Sequence, residues 1–125
     1  MREETSNWWK QAQKDLAAAK RSVISKDYEW AAFQANQAAE KSLKALFLEK
    51  KKQSVASHNL AHIGNMVKAP QEIVEALQDL NAEYTVARYP DAANAAPFEI
   101  YSEVKAQQKV KHAEAVLKWT QPQLE

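Results

Sequence analysis

Between Tyr28 and Leu48 the chain runs for 21 residues without a glycine or a proline: YEWAAFQANQAAEKSLKALFL. The stretch is rich in Ala, Lys, Glu, Gln and Leu, the residues that lose least on entering a helix. A helix of this length is about 30 Å long, the span of a small domain. Ala31, Ala35, Ala38, Ser42 and Ala45 recur at spacings of three and four and share one face. Side chains this small let a neighbouring helix come close, and Phe33, Leu43, Leu46 and Phe47 supply bulk beside the seam. Asp27 stands where an N-cap is expected. The run Lys50-Lys51-Lys52 suits the other end, where the helix dipole favours cations. This is the pattern of a central helix in an all-helical bundle.

The rest of the composition agrees. One Gly and four Pro in 125 residues leave little material for tight turns, against a sandwich, a barrel or a doubly wound sheet. The length fits one helical domain over residues 1–125, with a core that needs no staples. The absence of cysteine excludes disulfides, thiolate metal sites and Cys nucleophiles. No apolar run approaches a membrane span, and the start MREETSNWW has no signal-peptide pattern. No membrane association is expected, and the expected location is the cytoplasm. Charge is uneven: residues 1–68 carry 12 Lys/Arg against 7 Asp/Glu, whereas residues 69–103 carry only Arg88 against 7 acids. Such halves can attract each other within one bundle or between two copies. They do not form the continuous basic face of an ordinary nucleic-acid binder.

On either side of the central helix the periodicity continues. Trp8 or Trp9, Ala12, Leu16, Ala19 and Val23 form an apolar stripe that predicts a first helix to about Ser25, antiparallel to the second. Ser57 is a candidate cap for a short third helix, HNLAHIGNMV, which Gly64 weakens or ends. Pro70 suits the first turn of a fourth helix, with Ile73, Leu77, Leu80, Tyr84 and Ala87 as its stripe and a stop near Arg88 or Tyr89 before Pro90. The segment RYPDAANAAP reads as the one long loop, and Pro97 as the opening of a last helix to about Trp119, followed by a frayed tail.

Chemistry concentrates in EYTVARYPD. Tyr84 and Arg88 lie four apart, so the phenol can pack on the guanidinium stem. Asp91 can turn back to pair with Arg88 and clasp the helix end. Alternatively Arg88 faces phosphate while Tyr84 or Tyr89 stacks on a base. His58 and His62 have a spacing that can hold a metal, but no third ligand is in sight, so no metal or cofactor is expected. Glu40, Lys41 and Lys44 read as intrahelical pairs or phosphate contacts. Glu40 has no identifiable partner for acid–base work.

The string AxFxxxQAAEKSLKAL, then SHNLAHI, then YxxxRYPD, between an N-terminal WWKQAQKDLAAAK and a last helix ending in AVLKW, resembles the HEPN (higher eukaryotes and prokaryotes nucleotide-binding) domain family. The resemblance implies an all-α, antiparallel up-and-down bundle of four or five helices that tends to dimerise. It also implies kinship with the helical domains that accompany minimal nucleotidyltransferases in toxin–antitoxin-like pairs. Many members of the wider superfamily are metal-independent ribonucleases that use an Arg and a His separated by four to six residues, two copies meeting across a dimer. Here the positions in question are Ala93, Asn94 and Ala95, and no histidine follows until His112. The expected function is therefore a nucleotide- or RNA-associated domain, acting as a homodimer or with a nucleotidyltransferase partner. Arg88 would contact phosphate, with Tyr84, Tyr89, Asp91, Lys41, Lys44 and His58 as candidate neighbours and no assigned catalytic residue. The alternatives are a ribonuclease toxin pairing Arg88 with a spatially adjacent His58 or His112, and a non-catalytic protein–protein interaction bundle.

Overall fold

Helix α1 (Glu3–Ile24) and helix α2 (Tyr28–Lys51) are joined only by Ser25, Lys26 and Asp27, so they fold back on each other. Lys26 takes the left-handed conformation (φ 67°) that reverses the chain. Asp27 sits at the N-cap but makes no cap bond; its carboxylate accepts instead from Ser25 Oγ at 2.9 Å. The antiparallel register is fixed by Lys41 Nζ against Asp15 Oδ2 at 2.6 Å and by Ser22 Oγ against the Gln34 amide at 2.6 Å. In this computed structural model, which describes residues 1–125, every regular element is helical.

Beyond α2 come α3 (Leu60–Met66), α4 (Gln71–Asn81), a 3-10 turn (Ala82–Tyr84), two single-turn helices α5 (Pro90–Ala93) and α6 (Pro97–Ile100), and the long α7 (Glu103–Leu124). Asn36 Nδ2 donates to Leu80 O at 2.8 Å, which ties the end of α4 to α2. Ser42 Oγ donates to Thr120 Oγ1 at 2.9 Å, and Lys50 reaches Gln123 near the ends of α2 and α7. The up-and-down bundle read from the sequence is thus the observed fold. Ala31, Ala35, Ala38, Ser42 and Ala45 are all fully buried, so the small-residue face of α2 is the seam against which its neighbours close.

Boundaries differ from the sequence reading in five places. Helix α2 continues to Lys51, where Lys52 caps it in the left-handed region. Helix α3 is capped by Asn59, whose Oδ1 accepts from His62 N at 3.1 Å, while Ser57 bonds only the Asn59 amide. Helix α4 stops at Asn81, because the Asn81 side chain turns to Leu60 N (2.9 Å) and Asn59 (3.2 Å) and holds the start of α3. The predicted loop contains one helical turn opened by Pro90, and Pro97 opens a second single turn instead of the last helix, each proline having a fixed φ that suits a first turn. Helix α7 accordingly begins at Glu103, capped by Ser102, and ends at Leu124, which is buried rather than frayed.

Leu43, Leu46, Leu60, Ile63, Leu77 and Leu80 are fully buried, each worth about 1.5–3 kcal/mol relative to exposure. Trp9 joins this core, whereas Trp30 remains 48% exposed at the other end of the α1–α2 hairpin. No helix is long and apolar enough to cross a membrane.

Gly64 lies inside α3 rather than ending it. A Cβ at this position would come within 2.5 Å of Leu77 Cδ1, in the core between α3 and α4. Gly64→Ala should therefore lower the unfolding free energy by about 1–3 kcal/mol through overpacking, despite the better helix propensity of alanine. Urea titration measures this, and a variant as stable as the parent would contradict it.

Candidate functional site

Arg88 lies in the turn after the 3-10 segment, and its side chain folds back over its own chain. Nε donates to Tyr84 O at 2.8 Å. The guanidinium carbon sits 4.4 Å from the Phe33 ring centroid and 4.8 Å from those of Tyr84 and Tyr89. Three aromatic rings thus frame one cation, each stacking contact worth about 0.5–1 kcal/mol at a partly exposed site. No carboxylate lies within ion-pair distance of it. The expected clasp to Asp91 does not form: Asp91 is exposed in the first turn of α5. Arg88 is ordered by rings instead of by an acid, so its charge is left uncompensated.

The second part of the site comes from α2. Glu40 is 4% exposed, and its Oε2 is 3.0 Å from both Lys44 Nζ and His58 Nδ1. Its Oε1 is buried without a hydrogen-bond partner. Lys44 is buried too, with its ammonium 5.5 Å from the centroid of the Trp8 ring on α1. The His58 imidazole stacks on Tyr84 with ring centroids 4.6 Å apart and planes 16° apart. Tyr84 therefore touches both the imidazole and the guanidinium. A continuous chain of contacts runs from Trp8 through Lys44, Glu40, His58 and Tyr84 to Arg88.

Two other candidates are used elsewhere. Lys41 pairs with Asp15 on α1, and Lys44 is spent on Glu40, so neither extends the positive edge beside Arg88. His62 is exposed on α3, and no group of three or more His, Asp or Glu side chains is arranged to hold a metal. The Glu40–His58 bond was not legible in the sequence. Its one trace is that Asn36, Glu40 and Lys44 fall at four-residue spacing, on a face that burial alone reveals.

A second polar cluster lies behind the 3-10 turn. Lys109 Nζ, nearly buried, donates to Asp79 Oδ1 (2.9 Å) and Asp79 O (2.8 Å) and meets Glu83 Oε1 at 3.2 Å. The Tyr101 hydroxyl donates to Glu83 Oε2, and His112 Nδ1 lies 2.7 Å from Asp79 Oδ2. His112 is thus engaged by α4 and makes no contact with Arg88. Burial pushes the Asp79 carboxyl up, but hydrogen bonds from Lys109 and His112 outweigh it and hold the group below the usual carboxylate value. Burial, and then the Glu83 carboxylate, push the Tyr101 phenol well above its ordinary value.

A surface groove of about 610 Å³ between α1 and α7 contains none of these residues. Its polar lining is exposed Lys20, Lys111, Lys118 and Glu114 with two glutamines, and Lys20 is already paired with Glu114. The Arg88 end of the bundle is where buried polar groups and an unpaired cation converge.

The fold and site define a class: a helical bundle whose 3-10 turn presents an aromatic-framed arginine beside a carboxylate-held histidine. The profile of the HEPN domain family matches residues 5–123. The chain belongs to that family. Among solved structures it is similar to TT1696 from Thermus thermophilus, at 32% identity and TM-score 0.91, covering 98% of this chain and 100% of that one. It is also similar to ST0689, an archaeal HEPN homologue, at 31% identity and TM-score 0.85, covering 97% and 98%. An HEPN domain protein, tm0613 from Thermotoga maritima, shares the fold at 23% identity and TM-score 0.74, covering 93% and 95%. No curated protein matches the chain.

The polar cluster sets a pH profile of stability. A lowered Asp79 pKa contributes stability that is present above the unfolded value, about 3.9, and is lost as pH falls through the folded one. A raised Tyr101 pKa contributes stability present below about pH 10, lost as pH rises and the unfolded phenol ionises first. Urea unfolding across pH should show both limbs. Asp79→Asn should flatten the acid limb and Tyr101→Phe the alkaline one; limbs unchanged in the variants would refute the assignment.

Proposed function

We propose that this protein binds the phosphate of a nucleotide or of RNA at Arg88. The observation that carries the reading is a guanidinium with no acid partner, fixed by three rings and one backbone carbonyl. Guanidinium matches phosphate with paired donors, and Tyr89, 48% exposed, offers a face on which a base can stack. His58 and Tyr84 wall the same edge. Asp91, Lys41 and Lys44 drop out of the binding set, because the first is turned away and the lysines are already paired.

The reading extends to assembly. Ile24, Trp30, Tyr89, Phe98, Ile100 and Val104 are exposed large apolar side chains. Of these, Trp30 packs edge-on against Phe33, and Phe33 and Tyr89 both border Arg88. Apolar side chains grouped in this way support an interface. A second copy, or a minimal nucleotidyltransferase partner as in toxin–antitoxin-like pairs of the family, would cover them in the cytoplasm. The plain interaction bundle is the reading left if no nucleotide or RNA binds.

Binding of ATP and of a single-stranded RNA oligonucleotide, measured by fluorescence anisotropy at low salt, tests the site. Arg88→Ala should weaken binding at least about tenfold, since a charge-assisted contact of this kind is worth roughly 1.5–3 kcal/mol. Arg88→Lys should rescue it only in part, because an ammonium lacks the planar fork. Equal affinity in all three proteins would discard the reading. Light scattering of the purified chain, and identification of what co-purifies with it from its host, decide between self-association and a nucleotidyltransferase partner.

A further inference from the structure

We propose that the groove between α1 and α7 receives an acidic amphipathic helix of a partner protein. This surface lies outside the Arg88 site and does not depend on the phosphate reading. Two cavities, of about 610 and 370 Å³, share Lys20, Lys111 and Glu114, so they form one trough along the two helices. On α1 its lining runs from Trp9 to Val23. At about 1.5 Å per residue that is roughly 21 Å, the length of a helix of about 14 residues. One exposed ion pair, Lys20 to Glu114 at 3.3 Å, is the only polar bond joining α1 to α7. Half-buried Ala17 and exposed Ala115 line the trough and leave room for inserted side chains.

The floor is apolar and the flanks are basic. Trp9, Leu16 and Leu117 line the larger cavity, and Val23 and Val110 continue the apolar lining under the smaller one. Lys111 and Lys118, seven residues apart on α7, both line the trough. On α1, the spacing of Lys10, Lys14 and Arg21 puts them on the flank beside Ala17. All five cations are exposed, and none has a carboxylate within ion-pair distance. Glu114 is the one acid in the lining, and it is taken by Lys20.

This charge pattern selects the occupant. A helix with one apolar stripe covers the floor, and acids on both sides of the stripe reach cations on both flanks. A polynucleotide would answer the cations but leave the floor bare. A second copy of this chain does not supply the helix. The long helices already bury their apolar stripes in the core, and trough against trough would set Lys20, Lys111 and Lys118 against their own copies.

The test uses the full chain and a fluorescein-labelled synthetic peptide of about 15 residues. Its leucines recur at spacings of three and four, with glutamates on both sides of that stripe. One control peptide has the same composition in shuffled order, and another has lysine in place of every glutamate. Anisotropy should show the acidic amphipathic peptide binding, and both controls at least about tenfold weaker. Lys111→Glu combined with Lys118→Glu, changes confined to exposed positions, should weaken binding at least about tenfold, and added salt should weaken it in the parent. Ala115→Phe, which fills the trough from an exposed position, should weaken it as well, whereas Arg88→Ala should bind like the parent. Amide resonances along residues 9–23 and 107–121 should shift, and those of Tyr84, Arg88 and Tyr89 should stay. Equal binding of the shuffled peptide, full affinity in the double variant or in Ala115→Phe, or shifts centred on Arg88 would each overturn the proposal. So would an RNA oligonucleotide that displaces the peptide, or a dimer of the chain that the peptide dissociates, because the trough would then belong to RNA or to a second copy.

Discussion

Everything at the Arg88 end depends on three polar side chains buried along one face of α2. Asn36, Glu40 and Lys44 stand four residues apart, in a helix whose other buried positions are mostly alanine and leucine. Burying them costs solvation that must be recovered through partners. Asn36 takes the Leu80 carbonyl at the end of α4, and Glu40 takes His58 before α3. Lys44 meets Glu40 and lies over Trp8 of α1. Each recovery pins a different segment, so the polar stripe fixes where the irregular parts of the chain begin and end.

The alanine face and the polar stripe divide the labour of α2. Where α2 meets α1 and α7, small side chains permit close approach, and a few polar pairs, Lys41–Asp15, Ser22–Gln34, Ser42–Thr120 and Lys50–Gln123, set the register. Where it meets the chain between residues 58 and 88, direction comes from hydrogen bonds, which are more selective in geometry than dispersion. A hydrophobic replacement of the stripe could hold the helices together as well, but it would leave His58 without an orientation.

The helices and the alanine seam were legible in the sequence because both depend on local propensity and on a period of 3.6. The Tyr84–Arg88 contact was legible from its four-residue spacing, although the helix ends at Asn81, whereas Phe33, brought in by α2, was not. What the sequence hid was long-range. Asn81 ends α4 through bonds to residues 59 and 60, against a periodic pattern that runs on to Ala87. Glu40 and Lys44 look like solvated surface until burial is known, and the partner of Glu40 is 18 residues away. Asp91 misled in the opposite sense. A carboxylate three residues from an arginine is a reasonable pair, but Pro90 starts a helical turn that carries Asp91 into solvent.

The 3-10 turn between Ala82 and Tyr84 joins the two polar systems. Glu83 points inward, to Lys109 and the Tyr101 hydroxyl, and is 3% exposed. Tyr84, the next residue, points the other way and takes the imidazole and the guanidinium on its ring. An uninterrupted α4 would place Glu83 and Tyr84 about 100° apart around one axis. The tighter winding of a 3-10 turn separates successive side chains by about 120° instead. The buried ion pair with Lys109 holds this less favourable winding in place, because releasing Glu83 would leave a charge unpaired in the core. The orientation of the site's central ring is therefore set from the far side of the turn, by residues that never touch it.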